Sequence, residues 1–282
     1  MMTTVAEWRE SGAWVQVGAH RIFTRVVGKG SSILVLHGFP TASYDYARLA
    51  PLLADRYRLI LLDFLGFGFS DKPRPHAYSL FEQADVAAAV AAHYDTEQCA
   101  ILTHDMGNSV ALELLKRRAL DVSQVVMFNG SVLLRYYRPL ITQRLLLNQL
   151  TGPAIAALRL IRKPTFARQF GSVFAQQPNA AEIDAFWSLI QYNNGLDVYH
   201  RLIRYLNERK MHEYAWLEAL AQHPAPLTVI WGQRDPVSMP RIAQAVLEYR
   251  PDAVYFPLDA VGHYPHWEAP EFTAGLIREA LG

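Results

Sequence analysis

Four short runs of uninterrupted apolar residues, at 33–36, 59–62, 100–102 and 125–128, restrict the fold of this 282-residue chain more than any other feature. A strand that is apolar at successive positions is buried on both faces, and that happens mainly in a parallel sheet covered by helices. The segments between the runs have helical character: 43–54, 81–94 and 106–118 read as helices. The last of these ends in Lys116, Arg117 and Arg118, which suit the negative end of its dipole. Ahead of the runs, 14–17 and 21–26 are close enough in sequence for a hairpin. From about 131 to 223 the strand signal stops and amphipathic helical stretches rich in tyrosine replace it. The alternation resumes with a strand at 227–231, a helix near 241–249, a strand at 254–257 and a closing helix from 271. The expectation is one α/β core, residues 1–130 and 223–282, with a helical insertion at 131–222. Ligands of such sheets bind at the carboxyl ends of the strands, so an insertion leaving a strand end is expected to cap a site.

Composition excludes several classes. Lys and Arg number 27 against 26 Asp and Glu, so the whole chain offers no electrostatic reason to expect nucleic acid or an anionic membrane as partner. Cys99 is the only cysteine, which rules out an internal disulfide, and no Cys/His grouping has zinc-like spacing. No stretch reaches the ~20 apolar residues of a membrane helix. Glu7, Arg9 and Glu10 stand where a signal peptide needs its apolar run. A soluble, cytoplasmic protein acting on a small molecule without metal or cofactor is expected.

The segment Ile101-Leu102-Thr103-His104-Asp105-Met106-Gly107-Asn108 reads as strand, sharp turn and helix start, with small residues two before and two after the central one. Serine hydrolases of α/β fold place their nucleophile in such a turn; here aspartate occupies the position. A carboxylate at a helix start is stabilised as an anion and needs no base to become nucleophilic. The competing explanation is that Asp105 merely caps the helix. Three further strand ends bear on the choice. His37-Gly38-Phe39-Pro40 follows the third strand, where the backbone N–H of Phe39, with that of Met106, would form an oxyanion hole. Asp235 lies just past a strand in Trp231-Gly232-Gln233-Arg234-Asp235-Pro236. His263 follows another in Gly262-His263-Tyr264-Pro265. The chain order nucleophile, acid, histidine is that of the α/β-hydrolase triad. His263 would activate water, being an imidazole near neutral pKa, and Asp235 would hold its tautomer. His104 is expected to pack beside the turn and His266 to be structural, neither having metal-ligand spacing to a partner.

These motifs resemble the aspartate-nucleophile branch of the α/β-hydrolases, which contains epoxide hydrolases, haloalkane dehalogenases and fluoroacetate dehalogenases. Within it, HGFPTASYDY (37–46) and LDFLGFGFSDKPRPHAYS (62–79) are most similar to the mesoderm-specific transcript family. The vertebrate members carry an N-terminal membrane anchor that this chain lacks, so their membrane location is not expected to carry over. Some relatives place the triad acid at the strand end occupied here by Asn129, an amide, which favours Asp235.

The resemblance leaves three chemistries. Haloalkane dehalogenases usually have tryptophan after the nucleophile and asparagine in the oxyanion loop, where this chain has Met106 and Phe39, neither with a side-chain N–H. Fluoroacetate dehalogenases carry arginines soon after the nucleophile; here Met106-Gly107-Asn108-Ser109-Val110 follows. Epoxide hydrolases use insertion tyrosines to protonate the ring oxygen. Residues 194–201 resemble the segment carrying one of them, which makes Tyr199 the candidate donor, against the alternative that it, like Tyr192, Tyr205 and Tyr214, only packs a helix. Residues 166–177, where a second is expected, contain no tyrosine, leaving Tyr136 or Tyr137 as substitutes. An epoxide-hydrolase-like enzyme for a small or medium apolar substrate is expected. The alternatives are a dehalogenase and a non-catalytic ligand-binding protein that retains the fold.

Overall fold

The computed structural model describes residues 3–96 and 98–282. Its strands are β1 (Ala13–Val17), β2 (His20–Val27), β3 (Ser31–Leu36), β4 (Tyr57–Leu62), β5 (Gln98–Thr103), β6 (Asp121–Met127), β7 (Leu227–Gly232) and β8 (Val254–Leu258). They form one sheet in the order β1-β2-β4-β3-β5-β6-β7-β8. β3 to β8 pair in parallel, while β2 runs antiparallel to both β1 and β4. The β1–β2 hairpin closes over a two-residue turn, Gly18-Ala19, with Gly18 at φ +56°, a value that glycine adopts without steric cost. The apolar runs lie in the middle of the sheet: Ile33 to Leu36 and Leu59 to Leu62 are all buried.

Helices α1 (Val5–Glu10), α2 (Ala50–Leu53), α3 (Leu80–His93) and α4 (Met106–Arg117) come from the first half of the chain. Between β6 and β7 run α5 (Ile141–Leu147), α6 (Thr151–Ala157), α7 (Lys163–Gly171), α8 (Ala180–Gln191), α9 (Tyr199–Leu202) and α10 (Tyr205–Gln222). After β7 come α11 (Pro240–Tyr249), α12 (Pro265–Glu268) and α13 (Pro270–Leu281). The α3, α4 and α11 helices match expectation to within a residue or two. The helix predicted over 43–54 does not form as one piece. It splits into a 3-10 turn, Ser43–Tyr46, and the short α2. Pro51 is the reason: inside a continuous helix its ring would clash with the carbonyl of Ala47 and it could not donate, so it is tolerated only in the first turn of a new helix.

Candidate active site

Asp105 joins β5 to α4 in a backbone conformation that few side chains adopt, φ 49° and ψ −111°. A non-glycine residue held there costs about 1–3 kcal/mol and persists only where its surroundings enforce it. The surroundings are tight. A Cβ on Gly107 would lie 2.7 Å from the Leu36 carbonyl oxygen, and one on Gly38 would lie 2.5 Å from the Asp105 Cβ. Both glycines let backbone approach where any other residue would push the turn apart. The Asp105 side chain makes no capping bond to α4. Instead its Oδ1 accepts the Phe39 N–H at 2.8 Å, and the Met106 N–H also bonds to the carboxylate. The group is buried, which raises its pKa, while the charge on His263 and these two N–H donors pull it back down.

The loop that supplies Phe39 is held by His37. Its Nδ1 donates to the Gly38 carbonyl and its Nε2 accepts the Phe64 N–H at 3.0 Å, so the tautomer is fixed by both partners. Burial lowers the pKa of this imidazole to about 3, keeping it neutral. Asp63 ties the neighbouring segments together, accepting from the Ser43 and Phe69 N–H groups. Lys72 donates to the carbonyls of Phe67, Gly68 and Ser70. The long motif at 62–79 is in large part this knot of internal bonds beside the site.

His263 and Asp235 leave the ends of the last two strands and meet. His263 Nδ1 lies 2.5 Å from Asp235 Oδ2, and its Nε2 faces Asp105 Oδ2 at 3.7 Å, longer than a hydrogen bond. Asp235 is fully engaged: Oδ1 accepts the Val237 and Ser238 N–H groups at 2.8 and 2.9 Å, and Oδ2 also accepts from Asn129 Nδ2 at 2.9 Å. Asn129 itself is clamped to Gly232 through both ends of its amide. Burial works against charge on His263, but the Asp235 carboxylate beside it, with the Asp105 charge beyond, raises its pKa to about 9. The free protein therefore holds an imidazolium between two carboxylates at neutral pH, not the near-neutral imidazole expected from sequence. Removing the Asp105 charge removes one of the groups that hold the proton. By NMR titration, His263 is expected to lose its proton at lower pH in Asp105→Asn than in the parent; an unchanged midpoint would mean that Asp235 alone sets it.

Asp105 and His263 form the floor of a cavity of about 310 Å³. Its walls are mainly apolar and come mostly from the helices between β6 and β7, with Leu140, Leu146, Ile155, Phe166 and Phe170 among them. Tyr199 lines the cavity, its ring 5.0 Å from that of Phe39, and its hydroxyl has no hydrogen-bond partner among the described residues. A second hydroxyl, which the sequence reading left as helix packing, reaches the carboxylate itself. Tyr205 Oη is 3.4 Å from Asp105 Oδ1, and it also contacts Tyr137, whose hydroxyl donates to Gln143. Residues 166–177 contribute Phe166, Phe170 and Phe174; the last stacks on Tyr264 at 4.7 Å.

Residues 32–270 match the family model of the alpha/beta hydrolase fold. The chain belongs to this family. Among its relatives is the protein named "Putative hydrolase LipZ" of Mycobacterium tuberculosis, 41% identical over 281 residues and covering 96% of each chain. The human mesoderm-specific transcript homolog protein is 37% identical over 294 residues, covering 98% of this chain and 86% of its own. The solved structure of the epoxide hydrolase CorEH superposes with a TM-score of 0.82 over 96% of this chain and 98% of that one, at 16% identity, a likeness of fold alone. Haloalkane dehalogenases stand among both the relatives and the solved neighbours. The chain is thus a hydrolase of the α/β fold, with a haloalkane dehalogenase among its relatives and an epoxide hydrolase among the structures that share its fold.

The two lesser histidines of this hydrolase lie behind the turn at Asp105. His104 Nε2 donates to the His263 carbonyl at 2.9 Å, which leaves Nδ1 as an acceptor. His266 is sandwiched between the rings of Tyr46 and Phe128. Their lack of metal-like spacing in sequence does not hold in space: His104, His266 and Asp45 bring possible ligand atoms within 4.8 Å of one another. Asp45 arrives from the loop after β3, so the grouping has no local signature. His20, His76 and Glu82 form a second, half-buried group of this kind. Burial lowers the pKa of both imidazoles of the inner group and holds the Asp45 carboxyl well above the usual carboxylate range.

Proposed function

We propose that the protein opens epoxides of small or medium apolar molecules through a covalent ester on Asp105. The observation that carries this reading is the division of labour between the two oxygens of Asp105. Oδ1 accepts the Phe39 N–H, while Oδ2 faces His263 on the cavity floor. Oδ2 attacks a ring carbon, the carbon–oxygen bond of the ring breaks, and the ring oxygen takes a proton from a tyrosine hydroxyl. Esterification neutralises Asp105, so the His263 proton is held less tightly and passes to the tyrosinate left by ring opening, which frees the imidazole to act as a base. It takes a proton from water, whose oxygen attacks Cγ of the ester. The Phe39 N–H, already on Oδ1, and the neighbouring Met106 N–H hold the negative oxygen that forms there. Collapse releases the diol as the imidazolium protonates the leaving alkoxide, and the new Asp105 carboxyl then gives its proton to the imidazole, restoring the starting ion pair.

Epoxide opening is favoured over halide release because the cavity offers phenols rather than N–H donors at the nucleophile. Neither tryptophan nor asparagine is among the described lining residues. Gln143 and Gln169 line the cavity with their oxygens engaged as acceptors, and neither NH₂ group bonds Asp105, whereas the Tyr205 hydroxyl does reach it. Tyr199 and Tyr205 are the proposed proton donors, with Tyr205 filling the role for which residues 166–177 offer no phenol. Residues 131–222 would then act as the cap that supplies both. Turnover of a panel of apolar epoxides, with Asp105→Ala as the inactive control, tests the reading. Tyr199→Phe and Tyr205→Phe are each expected to lower that turnover by about 10²-fold, the lower end of what a lost general acid costs. Rapid halide release from haloalkanes, or two Phe variants as active as the parent, would select the dehalogenase alternative.

A further inference from the structure

The near-zero charge of the whole chain conceals a strongly polarised segment. Residues 122–181 contain no Asp or Glu but carry Arg135, Arg138, Arg144, Arg159, Arg162, Lys163 and Arg168, while the rest of the chain holds 20 Lys and Arg against 26 Asp and Glu. Lys163 pairs with Asp184 and Arg135 approaches Glu248. Arg138, Arg144, Arg159, Arg162 and Arg168 are exposed and form no ion pair among the described residues.

The same segment exposes apolar side chains of a kind that folding normally buries. Ile141, Leu145, Leu150, Leu158 and Leu160 are 77%, 43%, 82%, 67% and 52% exposed, a concentration within twenty residues that isolated surface leucines do not produce. On α5 the exposed stripe is Ile141, Arg144, Leu145 and Asn148, at the i, i+3, i+4, i+7 spacing of one helix face. Leu145 and Leu160 also line the cavity above Asp105, so this apolar and cationic face borders it.

We propose that the α5–α7 face docks on an anionic lipid surface. Leucines that enter the acyl boundary, beside arginines that meet the headgroups, are the composition of a helix that lies in the interface rather than one that crosses it. No helix of the described residues is long and apolar enough to cross a membrane, and docking needs none. Attached this way, the enzyme's cavity mouth opens toward the bilayer, and an apolar substrate reaches Asp105 without passing through water. That last step rests on the proposed function; the docking itself does not.

Sedimentation with vesicles tests the docking without any turnover. The parent is expected to bind vesicles of phosphatidylcholine containing about 30% phosphatidylglycerol, to bind pure phosphatidylcholine far less, and to lose affinity as salt rises. The triple variant Arg144→Gln/Arg159→Gln/Arg162→Gln should bind the anionic vesicles about 10²-fold more weakly, at roughly one elementary contribution per arginine. Leu150→Ser/Leu158→Ser should weaken binding while leaving the melting temperature in place, since neither side chain is buried. None of these five residues lines the cavity, so epoxide turnover in free solution should not change. Equal binding to both vesicle types, or binding untouched by either variant, would overturn the proposal. So would a parent dimer that Leu150→Ser/Leu158→Ser converts to monomer in the ultracentrifuge, because the face would then be an interface between copies.

Discussion

His263→Gln is expected to stop turnover at the ester, lowering it by about 10⁴-fold, the upper end of what a lost general base costs. Attack by Asp105 requires only a carboxylate, and in this variant, with the opposing imidazolium gone, the backbone N–H bonds still favour the anion against burial. Hydrolysis of the ester requires a deprotonated water molecule, and His263 Nε2 is the ring nitrogen that faces Asp105. With a true substrate, the variant should therefore accumulate an adduct on the peptide containing Asp105, visible by mass spectrometry. In the parent, a single turnover in heavy-oxygen water should place the heavy atom in the Asp105 carboxylate. Heavy oxygen found only in the first-turnover product would mean that water attacks the substrate directly with Asp105 as its base, and the ester mechanism would fail.

What could be read ahead of the structure was local. The turn at Asp105 is encoded within five residues, because the small side chains at Thr103 and Gly107 are the condition for its backbone geometry. The apolar runs located the parallel strands for the same reason, each carrying its burial in its own composition. The break at Pro51 was equally local and went unused. The placement of tyrosines was not local. On one straight helix Tyr199 and Tyr205 would point roughly 120° apart, since each residue turns the chain by about 100°. The chain instead ends α9 at Leu202 and starts α10 at Tyr205, which brings both phenols to the site. Where such a break falls depends on packing against the core, and periodicity cannot report it. The His263 pKa is similarly collective, set by carboxylates 28 and 158 positions away in sequence. The charge of residues 122–181 was present in the sequence throughout, but a sum over the whole chain cancelled it.

Asp235→Asn should be almost as damaging as loss of the histidine, although it changes one atom. All four groups that touch Asp235 are donors: the Val237 and Ser238 N–H groups on Oδ1, and Asn129 Nδ2 with His263 Nδ1 on Oδ2. An ionised carboxylate can accept from all of them, whereas an amide must point its NH₂ at one pair. The two backbone N–H groups cannot turn away, so the amide oxygen stays with them and the NH₂ faces Asn129 and His263. Asn129 cannot simply invert to accept, because its amide oxygen takes the Gly232 N–H at 2.8 Å. His263 then becomes an acceptor at Nδ1 and carries its proton on Nε2, the nitrogen that must take one from water. A comparable Asp-to-Asn change in a serine protease triad leaves geometry intact and costs about 10⁴ in kcat through the wrong tautomer. The same order of loss is expected here, confined to ester hydrolysis, with the Asp105 adduct accumulating as in His263→Gln. In the ¹⁵N spectrum the variant's imidazole should carry a proton on Nε2 and none on Nδ1, whereas the parent keeps its proton on Nδ1. A variant that forms ester slowly but hydrolyses it at the parent rate would mean that Asp235 positions the substrate-binding fold and not the base.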